Sequence, residues 1–565
     1  MVEGVLLSIS LIVGISALLA IVARLIKQPP IIAYLAAGIL VGPLVFNILN
    51  PNFSSMLQLF AHIGVAFLLF IVGLSLDLRV LKEVGGVSVL AGFIEVSVVG
   101  AIGYFISISL GYSYIVAIYI GAAIAFSSTV VVVKILSDKK EIDTLHGRIA
   151  LGILIVQDFA AALSLMIIPF IRNSGQMLFI AQRLGFAVLL IVGVFLFSNY
   201  ILNRFLNYLA RSQEALFLFG IAWALILATI FDLLGFSLEI GALIAGMSLA
   251  SSKYTLELGG KIKPLRDFFV VLFFVFFGSQ LVGPISASMI KLALLFSIFV
   301  LIGKPLIVMI ILRVFGYKKR TNFFAGVSLA QISEFSLILA LVGISNGDLN
   351  QSIIGLLILI ALITIAISSY GIYFSQQIFN KVSWLLGIFE GQKYRQDKDD
   401  KKFYDIILFG YHRIGYKILN QLKKNKASFV VVDYNPKVVL SLGERGINCI
   451  FGDASDKEFL NEINLDKAKL VVSTIPDWAS NLSIQEKLKE IKSHATFIAT
   501  SEHSKEALDL YEKGADFVIV PQHLGGNYAA EMITKFGLNK SKYREEGKAH
   551  FKEILEGKKN SNYYS

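Results

Sequence analysis

Asp158 lies inside an otherwise apolar run of membrane length, Leu151 to Phe170, directly after Gln157. Lys304 lies inside another, Leu292 to Leu312. A carboxylate or an ammonium at that depth is costly in hydrocarbon, and such groups generally line a polar pathway. Two of them with opposite sign invite pairing, or exchange of protons and ions at the carboxylate. Two polar clusters interrupt further apolar runs: Ser127-Ser128-Thr129 and Gln331-Ile332-Ser333-Glu334. Their hydroxyls and amides can satisfy backbone groups freed at a helix break, although serine and threonine also bond back to their own helix. Glu334 favours the first reading, because a carboxylate there needs a reason. The pattern predicts a pair of crossing, broken helices whose ends face Asp158, and ion transport as the chemistry.

Composition sets the scaffold around these residues. The chain has 565 residues, 56% hydrophobic and 16% charged, and its mean hydropathy is +0.72. A soluble globule carries roughly a quarter charged residues. The apolar excess fills residues 1–380, and the remainder has an ordinary soluble composition, so a membrane domain precedes a soluble one. The N-terminal Met1-Val2-Glu3-Gly4 is acidic, which argues against a cleaved signal peptide. At about 20 residues per span, about thirteen runs are long enough to cross a bilayer, beginning near Val5, Ile31, Met56, Gly85, Tyr114, Leu145, Leu178, Glu214, Gly235, Asp267, Ala287, Asn322 and Ser352. Eighteen lysines and arginines fall in or beside the odd-numbered loops, among them Arg79, Lys82, Lys139, Lys140 and Arg320, against three near the even ones: Arg172, Arg183 and Lys291. The positive-inside rule then puts the N-terminus outside and the soluble domain in the cytoplasm. The net charge of +11 is explained by that bias, so nucleic acid is not an expected partner. The lipid bilayer is. Cys449, the single cysteine, excludes an intramolecular disulfide and reads as part of a buried strand. Glu95, Asp232 and Glu239 lie near span ends or on faces that periodicity does not assign.

The segment Ile31-Ile-Ala-Tyr-Leu-Ala-Ala-Gly-Ile-Leu-Val-Gly-Pro43 echoes Leu238-Glu-Ile-Gly-Ala-Leu-Ile-Ala-Gly-Met-Ser248, and Ala125-Phe-Ser-Ser-Thr-Val130 echoes Ala330-Gln-Ile-Ser-Glu-Phe335. An odd number of spans separates the copies, so the second is inverted. Inverted repeats are typical of secondary transporters, with the site near the midplane.

From Phe403 onward short β-branched runs alternate with amphipathic helices. Strands are expected at 403–409, 428–433, 448–451, 470–473, 496–499 and 517–520, in βαβ order with a parallel sheet. Gly410-Tyr-His-Arg-Ile-Gly415 follows the first strand and opens a helix, and Asp433 ends the second strand about twenty positions on. That is the dinucleotide fingerprint: phosphate at a helix N-terminus, acid on the ribose hydroxyl. The candidate ligand contacts are Gly410, His412, Arg413, Ile414, Gly415 and Asp433, with Asp453, Ala454 and Thr474 at the ends of strands three and four. His412 replaces the middle glycine, which normally lets the backbone approach a pyrophosphate. A single-phosphate or signalling nucleotide therefore stays open beside a dinucleotide. Residues 381–402 read as a charged linker whose start, Val382 to Phe389, has the composition to lie along the membrane surface. Residues 403–533 form the Rossmann-type domain, and 534–565 a polar basic tail.

Gly147-Arg-Ile-Ala-Leu-Gly-Ile-Leu-Ile-Val-Gln-Asp158, Ser127-Ser-Thr129, Gly241-Ala-Leu-Ile-Ala-Gly246, Pro264-Leu-Arg-Asp267, Gly303-Lys-Pro-Leu306 and Ser333-Glu-Phe335 resemble the Kef-type potassium/proton exchangers of the second monovalent cation/proton antiporter family. The soluble region resembles the domain that regulates potassium conductance, which that family carries. The resemblance implies a polytopic α-helical membrane domain in the inner membrane, built as an inverted-repeat core that moves against a dimerisation domain, and hence a homodimer. It implies that Asp158 carries the ion and the proton, that Lys304 pairs with Asp158, and that NAD(H) or AMP acts as a regulatory ligand, with an ancillary regulatory protein as a further partner. The residues add a mechanism. One carboxylate occupied alternately by H⁺ or a cation couples two fluxes by competition, and the balance of burial against an ammonium poises proton exchange near working pH. Gln157 would offer a neutral carbonyl oxygen, which suits K⁺ better than Na⁺. Ser127, Ser128, Thr129, Ser333 and Glu334 complete the expected ion site, and no resident metal is expected. No enzymatic activity is expected. A Na⁺/H⁺ antiporter using the same residues, and a nucleotide-gated cation channel, are the alternatives.

Overall fold

The computed structural model describes residues 2–47, 51–75, 86–139, 141–142, 144–168, 190, 192–198, 202, 206, 212–233, 238–250, 252–281, 286–389, 403–411, 414–424, 428–433, 436–452, 454 and 457–561. The chain divides into two compact units, one of residues 1–142 and 146–391, the other of residues 143–145 and 392–565.

In the first unit every described element is helical: α1 (Val2–Leu25), α2 (Pro30–Val41), α3 (Pro51–Ser75), α4 (Gly86–Ser109), α5 (Tyr114–Ala125), α6 (Thr129–Asp138), α7 (Leu145–Ile167), α8 (Gln213–Leu233), α9 (Leu238–Leu249), α10 (Thr255–Ser279), α11 (Ala287–Ile298), a π turn (Phe299–Gly303), α12 (Lys304–Val314), α13 (Lys319–Ser328), α14 (Glu334–Ser345), α15 (Gln351–Tyr373), α16 (Ser375–Val382) and a 3-10 turn (Leu385–Phe389). Eight helical stretches among the described residues are long and apolar enough to cross a membrane, α5–α6 and α11–α12 each counting as one. Three more, α2, α9 and α14, are apolar but short. Helix α10 carries Glu257, Lys261, Lys263, Arg266 and Asp267 in its first half, which explains why hydropathy placed its start at Asp267. Every expected run coincides with one or two of these helices except that beginning near Leu178, of which only residues 190 and 192–198 are described, and those are helical.

The long helices sort into two packed groups. Helices α1, α2, α3, α8, α9 and α10 contact one another, and α4, α5, α6 and α11 to α15 contact one another, with α2 against α15 as the main crossing point. Close approach in the first group depends on paired glycines. Gly38 of α2 faces Gly278 of α10, and Gly73 of α3 faces Gly246 of α9, where an added Cβ would strike opposing backbone. Such contacts suit a medium in which apolar side chains gain little by leaving lipid. Helix α7 joins the second group where Val156 packs on Gly92 of α4.

In the second unit six strands, β1 (Ile406–Phe409), β2 (Phe429–Asp433), β3 (Cys449–Phe451), β4 (Leu470–Ser473), β5 (Thr496–Thr500) and β6 (Phe517–Ile519), form one sheet in the order β3-β2-β1-β4-β5-β6. All pairs are parallel. The order reverses between β1 and β4, the point at which doubly wound sheets bind ligands. Helices α17 (Gly415–Leu422), α18 (Pro436–Glu444), α19 (Lys457–Glu462), α20 (Trp478–Glu490) and α21 (Ser504–Glu512) make the crossovers. Phe409, Val430, Val471, Ile484 and Leu510 lie in the core on one face, and Leu408, Val431, Leu419 and Leu442 in the core on the other. Past the sheet, α22 (Pro521–Phe536) and α23 (Lys540–Ser561) are helical, so the expected tail is structured where it is described. Cys449 is half-buried in β3. Burial first, and the nearby Asp433 carboxylate second, push its thiol up to about 12.

Candidate functional site

The two polar clusters break two helices, as their composition predicts. Helix α5 ends at Ala125 and α6 starts at Thr129, and the intervening Phe126 and Ser128 have extended backbone. Ser128 caps α6, its Oγ accepting the N–H of Val131 at 3.3 Å. Helix α13 ends at Ser328 and α14 starts at Glu334. There Ser333 is the cap, accepting from the Phe335 N–H at 3.2 Å, while the Ser336 hydroxyl accepts the Ser333 N–H at 3.3 Å. The two breaks touch reciprocally. Ser127 Oγ donates to Leu329 O at 2.9 Å, and the Ser336 hydroxyl donates to Ala123 O. Two helix N-termini and two C-termini therefore meet inside the second helical group, each with backbone groups left open by the break.

Side chains satisfy those termini by sign. Helix N-termini favour anions and C-termini cations. At the start of α6, Thr129 Oγ1 donates to Asp158, 3.1 Å from Oδ1 and 3.0 Å from Oδ2. At the start of α14 stands Glu334, to which Ser333 Oγ donates at 3.4 Å. Ser128 and, electrostatically, Arg266 of α10 also reach Glu334. At the C-terminus of α5, Lys304 Nζ donates to Ala125 O at 2.7 Å and Ile124 O at 3.3 Å.

Lys304 finds its anion elsewhere than expected. It lies 3.7 Å from Glu95 of α4, and both side chains are wholly buried. The physical reason is placement. The π turn advances the helix by one residue before Lys304, whose N–H bonds Phe299 O, and its side chain ends at the α5 carbonyls on the α4 side of the break. The expected pairing with Asp158 is not what the structure holds. Gln157 also differs from expectation. Its Oε1 accepts the Ser127 N–H at 2.8 Å, and its Nε2 donates to Glu95 Oε2 at 2.6 Å. Both ends of the amide are engaged, so its oxygen is not held out for a cation. Asp158 is 9% exposed and Glu334 5%, whereas Gln157, Lys304 and Glu95 are at 0%. The opening is thus at the two carboxylates with Thr129 between helix ends, and the Gln157–Glu95–Lys304 group lies behind it.

The role of Glu95 is what sequence reasoning left unassigned. The usable signal was its isolation, as the one charged residue in the apolar helix Gly86–Ser109. Glu239 is also buried and meets His62 of α3 at 3.3 Å, whereas Asp232 is exposed.

In the second unit, Gly410 ends β1 with φ +85, and a Cβ there would come within 2.8 Å of Thr474 Oγ1. Gly415 packs so closely on the Gly410 carbonyl that any side chain would collide with it. Thr474 Oγ1 donates to Gly410 O at 2.9 Å. Asp433 Oδ2 accepts the Tyr411 N–H at 2.9 Å, so the acid expected on a ribose holds the glycine turn by one oxygen. Ile414 precedes α17, and Ala454 is buried beyond β3. His412, Arg413 and Asp453 lie outside the described residues. Among the described residues no group of three or more His, Cys, Asp or Glu could hold a metal ion.

Residues 11–374 match the family model described as sodium/hydrogen exchanger, transmembrane, and residues 406–521 the TrkA-N domain model. The chain is 28% identical over 526 residues to the putative cation/proton antiporter YbaL of Escherichia coli (strain K12), covering 89% of this chain and 92% of that protein. It is 28% identical over 518 residues to K(+) efflux antiporter 2, chloroplastic, of Arabidopsis thaliana, covering 88% of this chain and 43% of that one. With K(+) efflux antiporter 5 of the same plant the identity is 31% over 339 residues, covering 58% and 59%. The chain spans about half the length of these plant relatives and nearly all of the bacterial one.

Proposed function

The chain belongs to the sodium/hydrogen exchanger family, and from that premise we propose that it exchanges a monovalent cation, K⁺ in the first place, for H⁺ at Asp158. The observation that carries this reading is the position of Asp158: a carboxylate with a small opening, held by Thr129 at the N-terminus of α6, where two broken helices cross. Protonated, the carboxyl is neutral. Ionised, it needs a counter-charge in a medium that screens little. Lys304 is engaged with Glu95, so that charge is the cation itself. One proton leaves as one cation binds, and the two fluxes are coupled by competition for one group. Thr129, Ser128, Ser333 and Glu334 supply the remaining oxygens. The names of the plant relatives, K(+) efflux antiporters, support K⁺. Gln157 no longer argues for it through its carbonyl. The description of the matching family model keeps sodium as the second reading.

The charge bias of the loops supports an outward N-terminus and a cytoplasmic sheet unit. We assign that unit a regulatory role, with a nucleotide such as NAD(H) or AMP at the β1–β4 switch point, where the Gly410 turn presents backbone to a phosphate. A homodimer, with the second helical group moving against the first, and an ancillary regulatory protein belong to the same proposal. The decisive test is internal pH in proteoliposomes as K⁺, Na⁺ or Li⁺ is added, beside Asp158→Asn. Cation-driven proton movement lost in the variant supports the exchanger, and the ion ranking names the substrate. Proton movement that survives the substitution, or cation flux without it, refutes the reading and favours a channel. Nucleotide control is abandoned if saturating NAD(H) and AMP, and removal of residues after Asp405, leave transport unchanged.

A further inference from the structure

Glu95 takes no part in the exchange described above, yet it joins the residues that do the holding. One oxygen, Oε2, accepts from Gln157 Nε2 at 2.6 Å. The other, Oε1, has no hydrogen-bond donor and faces Lys304 Nζ at 3.7 Å. Each partner then reaches the same stretch of backbone. Lys304 donates to the carbonyls of Ile124 and Ala125, and Gln157 accepts from the Ser127 N–H. Two arms from one buried carboxylate therefore grip residues 124–127, the turn that leads directly into Ser128 and Thr129.

We infer that Glu95 is a positioning residue: it retains Lys304 as its own counter-ion and, through Gln157, holds the 124–127 turn, leaving Asp158 free for the transported cation. The inference rests on Asp158 as the exchange site. An ammonium on a flexible four-carbon stem competes with any cation for a carboxylate it can reach, and Asp158 adjoins Gln157 on the same helix. Removing Glu95 strands a buried ammonium, whose remaining partners are neutral carbonyls. Removing both charges together leaves no unpaired buried charge.

The test compares initial exchange rates against K⁺ concentration for the full chain, Glu95→Gln, and the double variant Glu95→Gln with Lys304→Met, in proteoliposomes. The single variant is expected to raise the KM for K⁺ by about tenfold or more with a smaller change in kcat, and the double variant to return it to within about threefold of the parent. A structural role alone would lower the amount of active protein and leave KM in place. A parental KM in the single variant, or a double variant with KM no better than the single, overturns the proposal. Where Glu95→Gln does not fold, the double variant decides alone. Near-parental KM supports positioning, and loss of exchange means that Glu95 or Lys304 itself carries the ion or proton. A parent chain without cation-driven proton movement would instead remove the exchanger reading, so the two failures are distinguishable.

Discussion

At the crossing of the broken helices, buried helix ends are matched by charged side chains: Asp158 and Glu334 at N-termini, Lys304 at a C-terminus. At the Gly410 turn the backbone itself is bent, with Gly410 at φ +85, and its groups are met by one carboxylate oxygen of Asp433 on the Tyr411 N–H and by the neutral Thr474 hydroxyl on the Gly410 carbonyl. The difference arises from solvent. An apolar medium offers no water to an orphaned amide or to an ion, so every charge must find its partner in the protein or in a bound ion. A domain in water can leave backbone N–H groups for a ligand at little cost. Side-chain substitutions should therefore dominate in the helical unit, and backbone-conformation substitutions in the sheet unit.

The largest effect should come from Lys304→Met alone. It leaves Glu95 as an unpaired buried anion, a loss of about 3–5 kcal/mol, read as a fall in the unfolding midpoint in detergent. Thr129→Val removes the hydroxyl from Asp158. A hydrogen bond to a charged group contributes about 1.5–3 kcal/mol, so the KM for the cation should rise by about tenfold or more, with Thr129→Ser close to the parent. Gly410→Ala forces an L-residue to φ +85 against Thr474. It should cost about 1–2 kcal/mol and weaken nucleotide binding to the full chain, with basal exchange intact. If it impaired exchange more than Lys304→Met, the contrast between the two units would fail. The smallest effect concerns Cys449. With its thiol pushed up to about 12, it stays protonated at neutral pH and gains thiolate only as pH climbs toward that value. Maleimide labelling of the folded chain should then be slow at pH 7 and fast in denaturant.

Much of the parallel sheet was legible, because β-branched runs bounded by turns carry their own period, and the six strands fall where expected within a residue or three. The helix breaks were legible for a local reason: serine caps announce themselves in Ser127-Ser128 and Ser333. Asp158 stood out by depth. Its relation to Lys304 was not legible, because pairing is tertiary and a third buried charge changes it. Applying to Glu95 the rule that found Asp158, a lone carboxylate in an apolar run, would have exposed the competitor. Gln157 was hidden for the same reason: an amide's partners depend on what lies across from it, here Glu95 and the Ser127 N–H.

The π turn at Phe299–Gly303 holds one residue more than an α-helix would need over the same rise. Deleting any one of those five would restore ordinary winding and rotate α12 by about 100° relative to α11. Lys304 would swing off the Ala125 carbonyl and off Glu95, although hydropathy, length class and every charged residue were unchanged. The ion pair behind the site is thus addressed by counting, like a frame in a code. Among relatives, a one-residue gap in this helix should be matched by a change at Glu95, and a substitution survey that scores only residue types would overlook both.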